Sequence, residues 1–155
     1  MSKKKRKKGG FISSQATQNT SSNKYINKDA LKLEDFEQVG NNANVFLSLK
    51  YIQHKTQCFS EWSSQEMTNF WNFNELIHKT TWQLVYASAR KKNKSGLAYT
   101  VIDKKNYPKT QFSDKLSDDI TLFELRLNQK IRVHGFRHKS IFYLCWLDRS
   151  HNLIN

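Results

Sequence analysis

Cysteine, proline and glycine are all scarce in this chain: two, one and five residues respectively among 155. The two thiols, Cys58 and Cys145, each sit in an apolar stretch with no second Cys or His at metal-ligand spacing. That excludes a disulfide framework and points to buried thiols in a reducing compartment. Five glycines without a Walker or dinucleotide pattern argue against nucleotide hydrolysis and hydride transfer, and no serine has the elbow context of a hydrolase nucleophile. No stretch approaches the ~18 apolar residues of a transmembrane helix, and the N-terminal stretch lacks the apolar segment of a secretory signal. The expected location is the cytoplasm, or the nucleus where the host has one, with no membrane partner. Acid is the last shortage: 13 Asp and Glu face 26 Lys and Arg, a formal net charge of +13.

An imbalance of that size speaks to partners, and the expected one is a polyanion, RNA or DNA. Hydrophobic residues at 37% and aromatics at 13% supply the large side chains of a packed core, so the charge sits on a folding domain. Residues 1–28 hold Lys3, Lys4, Lys5, Arg6, Lys7, Lys8, Lys24 and Lys28 and no acid, with Ser, Thr, Asn and Gln in place of core residues. This composition predicts a disordered basic arm ahead of a single domain over residues 29–155. The arm carries +8 of the charge and leaves +5 on the remainder. The run Lys3 to Lys8 fits a nuclear import signal, a tether to nucleic acid, or a tail that only aids solubility, and these stay open.

Hydrophobic periodicity orders the rest. A short amphipathic pattern over 30–39 (Leu31, Phe36, Val39) predicts a helix, and Val45 to Phe59 predicts a strand or hairpin. Ser63 with Glu66 forms a capping box, opening a helix that runs to about Ala89, with Asn72 and Asn74 as the candidate break. Arg90 to Gly96 would close it with cations and a glycine, and Leu97 to Ile102 predicts another strand. In the C-terminal third, Phe123, Leu125 and Leu127 alternate with Glu124, Arg126 and Asn128, a strand with one buried face. Asn128-Gln129 is the expected turn. Ile131 and Val133 then alternate with Lys130, Arg132 and His134, Gly135 admits a neighbouring backbone, and Arg137-His138-Lys139 forms a basic turn. Ile141 to Leu147 is apolar throughout, as a strand covered on both faces requires.

The chemistry concentrates there. Arg126, Arg132, His134, Arg137, His138, Lys139, Arg149 and His151 fall within 26 positions on an expected three-strand meander. Arginine's planar fork matches phosphate oxygens and stabilises the extra charge of a pentacoordinate transition state, and histidine moves protons near neutral pH. The candidate catalytic set is Arg126, Arg132 and His151. Lys91, Lys92, Lys94, Lys130, His134, Arg137, His138, Lys139 and Arg149 are the candidate nucleic-acid contacts. Asp148 and His151 form a D-x-x-H pair that could enlist His134 for a metal, but no HExxH or Cys/His cluster supports one, so no metal and no cofactor is expected. Glu124 reads as an ion-pair partner that orders the arginines.

The stretch Phe123-Glu124-Leu125-Arg126-Leu127, followed by Lys130-Ile131-Arg132-Val133, resembles the paired "L-R" and "y-R-v-x-y" strands of the RelE/ParE-type toxin superfamily. The resemblance covers residues 120–151 in motif and about 45–155 in element order; the chain carries in addition the basic arm and a longer segment between Lys91 and Ser117. It implies a small α+β domain, helices packed on a mainly antiparallel sheet with a C-terminal three-strand meander. It also implies metal-independent RNA cleavage, including of ribosome-bound mRNA, by arginines with His151 as the proton carrier, and an antitoxin protein as partner. The alternative is a non-catalytic, basic nucleic-acid-binding module; a third reading is an interaction protein whose cationic surface docks an acidic partner.

Overall fold

The computed structural model of the chain describes residues 36–89 and 96–154. Its strands are β1 (Phe46–Ser48), β2 (Thr100–Val101), β3 (Leu122–Arg126), β4 (Arg132–His138) and β5 (Ile141–Asp148), and its helices α1 (Ser64–His78), α2 (Trp82–Ala87) and α3 (Gln111–Lys115). The strands form one mixed sheet in the order β1-β5-β4-β3-β2. β3, β4 and β5 make an antiparallel meander, β2 joins β3 antiparallel, and β1 runs parallel to β5. The fold is α+β.

Strand alternation sorts the side chains into two clusters on opposite sides of the sheet. One side carries Phe123, Leu125, Val133, Phe142, Leu144 and Leu147, packed against Phe70, Phe73 and Ile77 of α1 and Trp82 and Val85 of α2. The other carries Leu122, Phe136, Cys145 and Trp146 beneath Tyr107, Leu116 and Leu153. β5 is paired on both edges and buried on both faces, as its unbroken apolar run predicts. Cys145 is buried, and burial pushes its thiol up to about 12.

The meander needs one close approach. Between His134↔Trp146 and Gly135↔Leu144 the register shifts, so Cys145 is the extra residue of a β-bulge. A Cβ on Gly135 would collide with the Tyr143 carbonyl, which is why only glycine fits there.

Several elements differ from the sequence pattern for identifiable reasons. The Ser63/Glu66 capping box is present, with Glu66 N donating to Ser63 Oγ and Ser63 N to Glu66 Oε2. The helical run breaks after His78, however, and not at Asn72 or Asn74, because Thr81 N-caps a second helix by accepting from Leu84 N. Residues 45–59 contribute only the three residues of β1, and no hairpin forms there. Their polar groups go elsewhere: Leu47 N donates to His78 Nε2, and Gln53 N to the Cys145 carbonyl. The expected basic turn is part of β4 through His138; the reversal falls at Lys139, whose φ is 54°. Helix α3 was not apparent in the pattern; Thr110 and Ser113 cap it reciprocally. Of the helix expected over 30–39, residues 36–39 lie among the described residues and only Phe36–Glu37 of these are helical; the cationic run 90–95 lies outside them.

Candidate functional site

Arg126 and Arg132 stand directly opposite each other across the β3–β4 hairpin, with Glu124 opposite His134 two positions along and Asp148 opposite Arg132 on β5. Period-two alternation puts these side chains on the same face of the sheet, the one that also carries Trp146. Two like charges facing each other are unfavourable, and Glu124 supplies the counter-charge. Its Oε1 lies 4.0 Å from Arg132 Nε, and its Oε2 lies 3.9 Å from both His134 Nε2 and His151 Nε2. Burial and then Arg126 pull the Arg132 guanidinium below its usual range, while Glu124 and Asp148 oppose them.

His151 reaches this cluster through Asp148. The Asp148 carboxylate, fully buried at the end of β5, accepts from Asn152 N (2.9 Å) and Leu153 N (3.2 Å), which closes a tight turn over the strand end. His151 sits inside that turn with φ 55° and a half-exposed ring. Burial pushes the Asp148 carboxyl up, but His134 and the two turn N–H groups outweigh it and hold it at about 2. Asp148 therefore caps a turn.

His134 lies beneath the site. Its Nδ1 is 3.1 Å from the Tyr107 hydroxyl, and its Nε2 is 3.5 Å from Asp148 Oδ2, an ionic distance without hydrogen-bond alignment. Burial, with Glu124 nearby, raises the Tyr107 phenol, so it keeps its proton and can donate it to Nδ1. That leaves an Nε2 proton facing the two carboxylates. Fully buried, His134 cannot touch a phosphate, contrary to its place among the expected contacts; its ring faces the Asp148 and Glu124 carboxylates instead.

Arg137 also leaves the expected contact surface. It belongs to the opposite face, where all five of its N–H donors are used: by the carbonyls of Lys139, Val39 and Gly40, by Asn41 Oδ1 and by Tyr86 OH. Its guanidinium stacks 4.5 Å over the Trp82 ring. No donor remains for a phosphate. Arg149 forms a two-pronged pair with Glu66, Nε to Oε1 at 2.8 Å and Nη2 to Oε2 at 2.9 Å, which holds the Glu66 carboxyl at about 2. It ties the end of β5 to the start of α1. Lys139 pairs with Glu37, whereas Lys130 and His138 are exposed. Lys91, Lys92 and Lys94 lie outside the described residues.

Arg132 and His151 thus meet at Glu124, with Arg126 opposite Arg132 across the hairpin, and Arg132 is also tied to the backbone. Its Nη1 donates to the carbonyls of Asn128 (2.9 Å) and Ile131 (3.1 Å), bracing the hairpin loop. Tyr107 arrives from a distant loop with no local signal, whereas Glu124 stands beside Arg132 as the ion-pair partner its sequence position suggests. Among the described residues no group of three His, Cys, Asp or Glu is arranged to hold a metal ion, and no helix is long and apolar enough to cross a membrane. No family model, curated protein or solved structure matches this chain.

Proposed function

We propose that the protein binds RNA through its phosphate backbone and cleaves it without a metal at the cluster around Glu124. The observation that carries this reading is the meeting of Arg132 and a half-exposed histidine at one carboxylate, with Arg126 directly opposite Arg132. His151 takes the proton of a 2′-hydroxyl, whose oxygen attacks the adjacent phosphorus as the 5′-oxygen leaves and takes a proton from water. Arg126 and Arg132 offset the charge that develops on the phosphate oxygens, and Glu124 keeps the imidazole oriented. The motif resemblance of residues 120–151 to RelE/ParE-type toxins points the same way and adds an antitoxin as a protein partner.

Purified protein incubated with labelled RNA, with and without EDTA, tests the reading. Cleavage indifferent to EDTA is expected. His151→Ala should lower the rate by ~10²–10⁴ while RNA affinity is kept, since general acid–base catalysis contributes about that much. A wild-type protein that binds RNA and never cuts it, including on translating ribosomes, would overturn the catalytic part. The internal commitments of Arg132 Nη1 favour that second outcome, a basic binding module in which the cluster braces the hairpin.

A further inference from the structure

On the face that carries the Glu124 cluster, further along β4 and β5, lies an aromatic cavity of about 430 Å³. Tyr51, Phe112, Phe136 and Tyr143 line it. Phe136 and Tyr143 stack with centroids 5.1 Å apart, and the Tyr51 ring lies 5.2 Å from Tyr143 and 6.0 Å from Phe136. Lys115 and His138 stand among its lining residues with no carboxylate, and Lys50 Nζ sits 5.2 Å from the Tyr51 ring centre.

The cavity does not end there. A second hollow of about 490 Å³ shares Phe112 and Lys115 with it and adds Lys55 and an edge of Trp146. A third shares Thr56 and Pro108 with the second and is bordered by Arg149, Ser150 and Asn152, close to His151 in the chain, and by Glu61, the one carboxylate among the linings of the three. Shared lining residues thus link the three hollows in series, a segmented groove from the aromatic cavity to the residues beside His151.

We propose that this groove is the track of a single RNA strand, with one unpaired base inserted among Tyr51, Phe136 and Tyr143 and a phosphate of the strand on Lys115. The proposal rests on the RNA reading and specifies how the strand is held. Aromatic walls stack on any base, and lysines placed between hollows track a backbone, which is the chemistry of single-strand binding. A duplex keeps its bases stacked on each other and has none to insert. An apolar peptide would fill the aromatic cavity equally well but gives the lysines nothing to neutralise; charge complementarity decides for the nucleic acid.

The test is fluorescence anisotropy with the full chain and two probes, a labelled ten-nucleotide single-stranded RNA and its duplex. Tyr51 is a half-buried loop residue, so Tyr51→Leu keeps an apolar side chain and the fold while removing one stacking wall. It should weaken single-strand binding about tenfold and change duplex binding less than twofold. Lys115→Gln should lower the salt dependence of single-strand binding by somewhat under one ion. Wild-type binding to RNA with Tyr51→Leu unchanged would overturn the groove while leaving RNA binding standing, and it is the result expected if the cavity serves a peptide. Failure of the wild-type protein to bind either probe would overturn the RNA reading itself. Circular dichroism of Tyr51→Leu, expected to match the wild type, separates lost stacking from lost fold.

Discussion

Arg137 shows how little a basic side chain's identity says about its partner. With five donors spent on carbonyls, Asn41 and Tyr86, and a stack on Trp82, it clamps the strand end to the segment before β1. Arg137→Lys keeps the charge but loses the fork. The variant should lose about 2–3 kcal/mol in urea unfolding while binding RNA like the wild type. The reverse result, stability kept and affinity lost, would return Arg137 to the binding surface. Asp148 gives a second expectation, in pH. Its carboxyl is held at about 2 in the folded protein against an ordinary value of 3.8, so the folded state favours the ionised form. That contribution is complete above pH ~4 and disappears as the pH falls through 3.8 towards 2. The urea midpoint of the wild type should therefore drop over that window, and in Asp148→Asn the drop should be shallower from a lower starting stability.

The β4–β5 pair carries the bulge on which the groove face depends. Cys145 is the extra residue, and the Tyr143 carbonyl occupies the space that a side chain at Gly135 would need. Gly135→Ala must push the two strands apart in a packed interior, and a cost of about 3 kcal/mol is expected from the denaturant midpoint. A variant as stable as the wild type would mean that the strands can separate there freely. The same bulge interrupts alternation along β5, so Cys145 and Trp146 both belong to the cluster beneath Tyr107. Helices α1 and α2 lie on the other face, where Val85, Trp82 and Ile77 are fully buried.

For the molecule as a whole, the charge and the groove should act together. Residues 1–28 carry eight of the basic residues and no acid, so their removal should flatten the dependence of RNA affinity on salt. Plotted as log affinity against log salt concentration, the slope should fall by up to about 0.7 per charge that touches the strand. An unchanged slope would show that those residues take no part in binding. Cleavage by the protein that remains should persist, because Arg126, Arg132 and His151 all belong to the C-terminal meander and its closing turn.

Local pattern was enough to read the meander β3–β4–β5, the opening of α1 and the need for Gly135. Each rests on alternation, a capping box or a short turn, forces that act within a few residues. The parallel seating of β1 beside β5 and the arrival of Tyr107 over His134 were not legible, because those contacts join residues far apart in the chain; α3 went unread because its five residues are too few for a helical period to show. The same holds for charge. Composition shows an excess of cations, but which remain available depends on the carboxylate or carbonyl that folding puts beside each one. Glu66 takes Arg149, the strand-end carbonyls take Arg137, and burial takes His134. The sequence alone determined the C-terminal meander, the start of α1 and the sign of the net charge; tertiary packing decided which side chains gather around Glu124, since desolvation and ion pairing act only once distant segments meet.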